Sequence, residues 1–206
     1  MLHLAAILLA LGGGLIAGRL QSPAEGTRPR FPAATYATAA IVAAMFALQL
    51  AIPSLLPALA REPALLDNAQ LWRAVTALFV QDYGFVGAFV NLVTLVILGS
   101  VAERMMGSVM WLVIYFAGGV ITEFLALAWQ PQGAGNSIAC FALAGALTLF
   151  AIRRPLVAPR LYVCVVGLGA AAILLLLRDI HGIGYWAGVA CAAAARGLRL
   201  PHPKRA

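Results

Sequence analysis

The sequence predicts an all-α polytopic membrane protein, and three observations carry that prediction. Of 206 residues, 63% are hydrophobic and only 10% charged, with a mean hydropathy of +0.95. A soluble domain sits nearer half apolar and a quarter charged. Seven apolar segments recur along the chain, most of them close to the roughly 20 residues a spanning helix needs. None has the period-2 alternation of a membrane β-barrel strand.

Each segment has its own justification. The first, about 1–18, has no Lys or Arg before it and Arg19, Arg28 and Arg30 after it. That is the reverse of a signal-peptide n-region, so the segment reads as a retained extra transmembrane helix. The polar linker Gln21–Thr27 follows, and then the second span, 34–58. The longest connection, 59–83, carries Arg61, Glu62, Asp67, Trp72, Arg73 and Asp82. Segments 84–102 and 109–129 come next, the latter with Glu123 inside it. Segment 134–152 opens on Gly133-Ala134-Gly135-Asn136-Ser137, a flexible turn into a helix with Asn136 as a candidate N-cap. After 157–177 comes 181–195, which at about 15 residues is short for a span and opens on His181.

Charge sets the orientation. With the C-terminus in the cytoplasm, the cytoplasmic side holds Arg19, Arg28, Arg30, Arg104, Arg153, Arg154, Arg160, Arg196, Arg199, Lys204 and Arg205. The outer side holds only Arg61, Arg73 and Arg178. This is a positive-inside bias, and it accounts for the net charge of +7 without nucleic acid, because the arginines are scattered rather than clustered. Cys140, Cys164 and Cys191 all lie in apolar runs and read as small buried hydrophobes, not as a disulfide framework. No Cys/His/Asp/Glu pair stands at metal-ligand spacing and no Gly-rich phosphate loop appears, so no cofactor is expected. A transporter would want broken helices in inverted repeats, and no such pair of segments is present.

Under this orientation Ser137 and His181 share the outer side. A serine in the first turn of a helix lies beside unpaired backbone N–H groups and the positive end of the helix dipole, the donors a tetrahedral oxyanion needs. Gly184 and Gly188 follow His181 at i+3 and i+7, and small residues let helix backbones approach closely. The expected result is two helices pressed together with the Ser137 hydroxyl in reach of the imidazole, a minimal hydrolytic pair. Each part alone has a plainer reading: a serine back-bonding to its own turn, an interfacial histidine beside Arg178 and Asp179, and glycines that only pack. Glu123 is a functional candidate by its position, with Asn91, Arg73 or cavity water as expected partners. A neutral, hydrogen-bonded acid is the plainer alternative.

Taken together, these motifs resemble the rhomboid family of intramembrane serine proteases. Gly135-Asn136-Ser137-Ile138-Ala139-Cys140-Phe141-Ala142-Leu143-Ala144-Gly145 is similar to the family's nucleophile helix, and His181-xx-Gly184-xxx-Gly188 to its base helix. Asn91-Leu92, running on through Gly99, Glu103, Arg104 and Gly107, resembles the second core helix, and Trp72-Arg73 a feature of the long outer loop. The resemblance covers about 35–197, a six-helix core, leaving 1–34 as an extra helix and linker and 198–206 as a basic cytoplasmic tail.

What the resemblance implies is an endopeptidase with Ser137 as nucleophile and His181 as general base, and no third acidic member. Asn91 would join the Ser137 backbone N–H in the oxyanion hole. Phe141 would pack on the His181 ring, and Gly135 and Phe141 would border bound substrate. Substrates would be transmembrane proteins cut near the outer end of a helix, in what is expected to be a bacterial cell membrane. Two positions depart from the family pattern. Gly87 stands where a histidine usually precedes the asparagine by four residues, and Ile138 stands where a glycine usually follows the serine. They leave room for a second reading, a catalytically silent rhomboid-like protein that binds or escorts membrane helices.

Overall fold

The computed structural model describes residues 1–20, 31–64, 68–153 and 157–195. The linker 21–27, the charges of Arg28, Arg30, Asp67, Arg154, Arg196, Arg199, Lys204 and Arg205, and the tail 198–206 lie outside the described residues. The chain is an all-α polytopic membrane protein. Its helices are α1 (Leu2–Arg19), α2 (Ala33–Ala51), α3 (Leu55–Leu59), α4 (Arg73–Thr76), α5 (Gly84–Met106), α6 (Ser108–Ala126), α7 (Ser137–Ile152), α8 (Ala158–Leu176) and α9 (Ile180–Ala195). Of these, α1, α2, α5, α6 and α8 are long and apolar enough to cross a bilayer, while α7 and α9 have 16 residues each.

The apolar pattern is distributed as lipid demands. On α5, Phe85, Val86, Phe89, Val90, Val93 and Ile97 face outward while Ala88, Leu95, Leu98 and Gly99 are buried. On α7, every residue from Ile138 to Thr148 is buried, so this helix is the axis of the bundle. A helix apolar all round belongs in a core. At 1.5 Å per residue, α7 is about 24 Å long, short of the roughly 30 Å hydrocarbon layer. Its flanking irregular backbone must therefore be satisfied by protein or by a cavity.

One expected span is broken. Segment 34–58 divides into α2 and α3, because Pro53 disfavours the helical region for the residue before it. Ile52 is accordingly extended, at φ −128 and ψ 85. Likewise 134–152 becomes helical only from Ser137, since Gly133 (φ 156) and Gly135 (φ 136) hold a backbone that glycine alone adopts freely.

The end of the bundle away from Ser137 is closed at Glu103 and Gly107, the last residues of the string that resembles the family's second core helix. Glu103 is buried, and its carboxylate accepts from Ala34 N at 3.0 Å, Thr35 N at 2.7 Å and the Ser108 hydroxyl at 2.6 Å. It thus satisfies the open N-terminus of α2, which has no side-chain cap of its own. Gly107, at φ 82, lets the chain reverse into α6. Helix α1 is seated against α7 and α8: a Cβ at Gly14 would lie 2.7 Å from Ala144 Cα, and one at Gly13 2.9 Å from Gly167 Cα.

Candidate active site

Ser137 is the first residue of α7, and His181 is the second of α9. Helices α7 and α9 meet backbone to backbone. A Cβ on Gly184 would fall 2.6 Å from Ile138 O, one on Gly188 1.8 Å from Ala142 O, and one on Gly145 2.0 Å from Tyr185 O. That seam sets the two helix starts level, and His181 Nε2 lies 3.0 Å from the Ser137 hydroxyl oxygen. The Phe141 ring, one turn into α7, packs on the imidazole with centroids 4.7 Å apart and planes tilted by 49°.

The resemblance implies no third acidic member, and the structure places an acid, Asp179, against the far side of His181. Its buried carboxylate Oδ1 lies 2.6 Å from His181 Nδ1 and accepts the His181 backbone N–H at 2.7 Å. Its other oxygen pairs with Nε2 of His3, from α1. The turn that presents it is a tight one, with Arg178 in the left-handed region at φ 55 and Asp179 N bonded to Leu174 O at 2.9 Å. Burial pushes the Asp179 carboxyl up, but hydrogen bonds and charge from His181, aided by His3, outweigh it and hold the group well below the ordinary carboxylate range. The missed signal was an acid immediately before a helix start, two residues ahead of the histidine, which is an N-cap pattern.

On the other side of Ser137 the structure places amides. Asn91 Nδ2 donates to Gln81 Oε1 at 2.7 Å, and Gln81 Nε2 donates to Asn136 Oδ1 at 3.0 Å. Gln81 is in turn held by Gln49, whose Oε1 accepts the Gln81 backbone N–H at 2.9 Å. Asn91 Nδ2 lies 3.4 Å from where a Gly135 Cβ would be, and that point is 3.9 Å from the Ser137 hydroxyl oxygen. Asn91 and the Ser137 hydroxyl thus both lie beside the Gly135 turn, and one of the two amide N–H groups of Asn91 is committed to Gln81. Asn136 occupies the N-cap position of α7, yet its side chain makes no capping bond, because its Oδ1 accepts from Gln81 Nε2 while its Nδ2 donates to Asn91 O and Cys140 Sγ. Gly87 carries no donor, and a Cβ there would meet Tyr83 Cβ at 2.3 Å.

The loop over the site is fastened by Arg61. It forms a buried ion pair with Glu123, so the partner of that acid is neither Asn91 nor Arg73. Arg73 is drawn away to Pro57 O and Ala60 O, at 2.9 and 2.8 Å. Arg61 also donates to Gln130 O at 3.1 Å and Gln132 O at 3.2 Å, and its backbone bridges Gly133. Asp82 accepts from Ala134 N at 2.8 Å, and burial raises its carboxyl above the ordinary range. A small cavity of about 30 Å³ is left, lined by Arg61, Asp82, Tyr83, Glu123, Ser137 and His181 among others. Among the described residues, no group of three His, Cys, Asp or Glu is placed to hold a metal ion.

The chain is similar to known proteins. A family model described as the Rhomboid domain matches residues 68–198. The rhomboid protease GluP of Bacillus subtilis (strain 168) is 30% identical over 146 residues, covering 68% of this chain and 29% of GluP. The chain spans less than a third of the length of that relative.

Proposed function

The chain belongs to the rhomboid family of intramembrane proteases, and from that premise we propose that it is a serine endopeptidase with Ser137 as nucleophile and His181 as base. The observation that supports this most directly is the 3.0 Å contact between the Ser137 hydroxyl and His181 Nε2, held by a glycine seam within a polar cavity. In the proposed reaction His181 takes the hydroxyl proton as Ser137 attacks the scissile carbonyl. The oxyanion is met by the Ser137 backbone N–H and the second side-chain N–H of Asn91. His181 then protonates the leaving amine, and water from the cavity hydrolyses the acyl-enzyme. Gly135 and Phe141 border the bound segment. Substrates are transmembrane helices, entering at the end of the bundle where α7 and α9 begin. We place that end outside a bacterial cell membrane, with the C-terminus in the cytoplasm, as the arginine distribution asks. Reporter fusions finding residues 153–156 outside would overturn this orientation.

Gly87 favours a second reading, a silent helix-binding protein, because it removes one donor from the oxyanion side. A fluorophosphonate serine probe separates the two. The purified wild type should label and Ser137→Ala should not. Equal absence of label in both favours the silent protein.

A further inference from the structure

We propose that Asp179 is a positioning residue for His181, and that His3 of the N-terminal helix holds Asp179, so that α1 is part of the catalytic apparatus. The four side chains form one line of contacts: His3 to Asp179, Asp179 Oδ1 to His181 Nδ1 at 2.6 Å, and His181 Nε2 to Ser137 at 3.0 Å. Asp179 is buried while His181 is half-buried and His3 exposed. A buried carboxylate must be paired, and both of its oxygens here are engaged by the two histidines. Holding a proton on Nδ1 leaves Nε2 as the acceptor facing the serine, which is the tautomer a general base needs. The carboxylate also stabilises the imidazolium that forms during attack.

The role reaches α1 because His3 is 176 residues away in sequence and is brought in only by the seating of Gly13 and Gly14 on α8 and α7. An N-terminal helix that served only as an anchor would have no need of a contact at this end. The remaining charged and titratable groups around the pair are Asp82, Tyr83, Arg61 and Glu123, which share its cavity or its field, and the neighbouring Arg178. None of these stands between Asp179 and the ring.

The proposal deepens the serine-peptidase reading and rests on it for its catalytic meaning, so its test has one arm that needs no turnover. The full chain has three histidines, His3, His181 and His202, few enough to resolve by 15N NMR of the imidazole rings in detergent. Wild-type His181 should be Nδ1-protonated with a strongly low-field ring proton, and Asp179→Ser should lose that proton. Serine keeps the N-cap for α9, so the fold is spared. In the activity arm, Asp179→Ser should lower kcat roughly a hundredfold or more with KM little changed. Asp179→Asn should lower kcat as well, since a neutral amide does not stabilise the imidazolium that forms during attack. His3→Ala should lower kcat severalfold. Identical ring spectra in wild type and Asp179→Ser, or an unchanged kcat, would overturn the positioning role. A His3→Ala protein indistinguishable from wild type removes α1 from the line. A wild type that cleaves nothing, yet shows the Nδ1 proton and loses it in Asp179→Ser, defeats the peptidase reading and leaves the hydrogen-bonded line standing.

Discussion

On the side of α9, Ser137 meets its partner through backbone packed on backbone, with Gly145, Gly184 and Gly188 each within a Cβ's width of a facing carbonyl. On the side of α5 it faces a run of amides, Asn91, Gln81, Asn136 and Gln49, joined by hydrogen bonds. The first side has no freedom to adjust, because interiors are close-packed and carbonyl oxygens do not move aside for a methyl group. The second has rotamers and alternative bonding patterns at its disposal. In the proposed mechanism one side therefore fixes where the base stands, and the other tunes how well the developing charge is met.

The largest expected effect breaks the rigid side at its chemistry. Ser137→Ala and His181→Ala should each lower cleavage of a model transmembrane substrate by about four orders of magnitude or more, and the double variant should be no worse than either single one. Appreciable turnover by purified Ser137→Ala would remove the serine from its role. Next comes the seam itself. Gly188→Val puts side-chain atoms into Ala142 O, where even a Cβ has only 1.8 Å, and should cost at least about 3 kcal/mol. Thermal unfolding in detergent should show a large fall in Tm. A Gly188→Val protein that melts like wild type would mean that the helices stand farther apart than described.

The amide side should respond in the opposite way, with rate lost and stability kept. Asn91→Ala should lower kcat by up to about a hundredfold, the magnitude of one oxyanion donor, with only a small change in Tm. Asn91 is only half-buried, and its own amide is bonded to Gln81 rather than wedged in a seam. A large loss of Tm with kcat preserved would reassign Asn91 to structure.

The same contrast explains what could be read from the sequence. The α7–α9 side is encoded locally: a serine at a helix start, a histidine at another, and glycines at i+3 and i+7 are visible as spacing. The helix-length apolar runs are legible for the same reason. Gln81 and Gln49 were not, because they become partners only when α2 and the loop before α5 are brought together in space. Glu123 was visible as an anomaly, yet its partner Arg61 lies 62 residues away, and spacing gives no hint of the pairing. Asp179 is the instructive case. Its position before the α9 start was readable as a cap, but its second oxygen and His3 meet only through the packing of α1.

The smallest and most discriminating prediction concerns Gly87, where a histidine would restore the donor that the family pattern has and this sequence lacks. A side chain at 87 projects from the face that bears Asn91, one turn later. The structure adds an obstacle, since a Cβ at 87 would lie 2.3 Å from Tyr83 Cβ, an atom fixed close to the backbone. Gly87→His alone should therefore lose stability and gain no rate. Tyr83 sits at the N-cap of α5, where glycine is well tolerated, and its ring is 75% exposed, so little packing is lost by removing it. Tyr83→Gly with Gly87→His should free the space and raise probe labelling above Tyr83→Gly alone, by up to about tenfold if the imidazole reaches the oxyanion. Folding should be restored at the same time, so the two substitutions should be non-additive in Tm. A stable Gly87→His single variant that labels faster than wild type would show that Tyr83 yields easily, and that the amide side is softer than the packing implies. A well-folded double variant no faster than Tyr83→Gly would show that the donors already present, Asn91 and the Ser137 backbone N–H, suffice, and that Gly87 reflects the fit of Tyr83 rather than a weakened oxyanion hole.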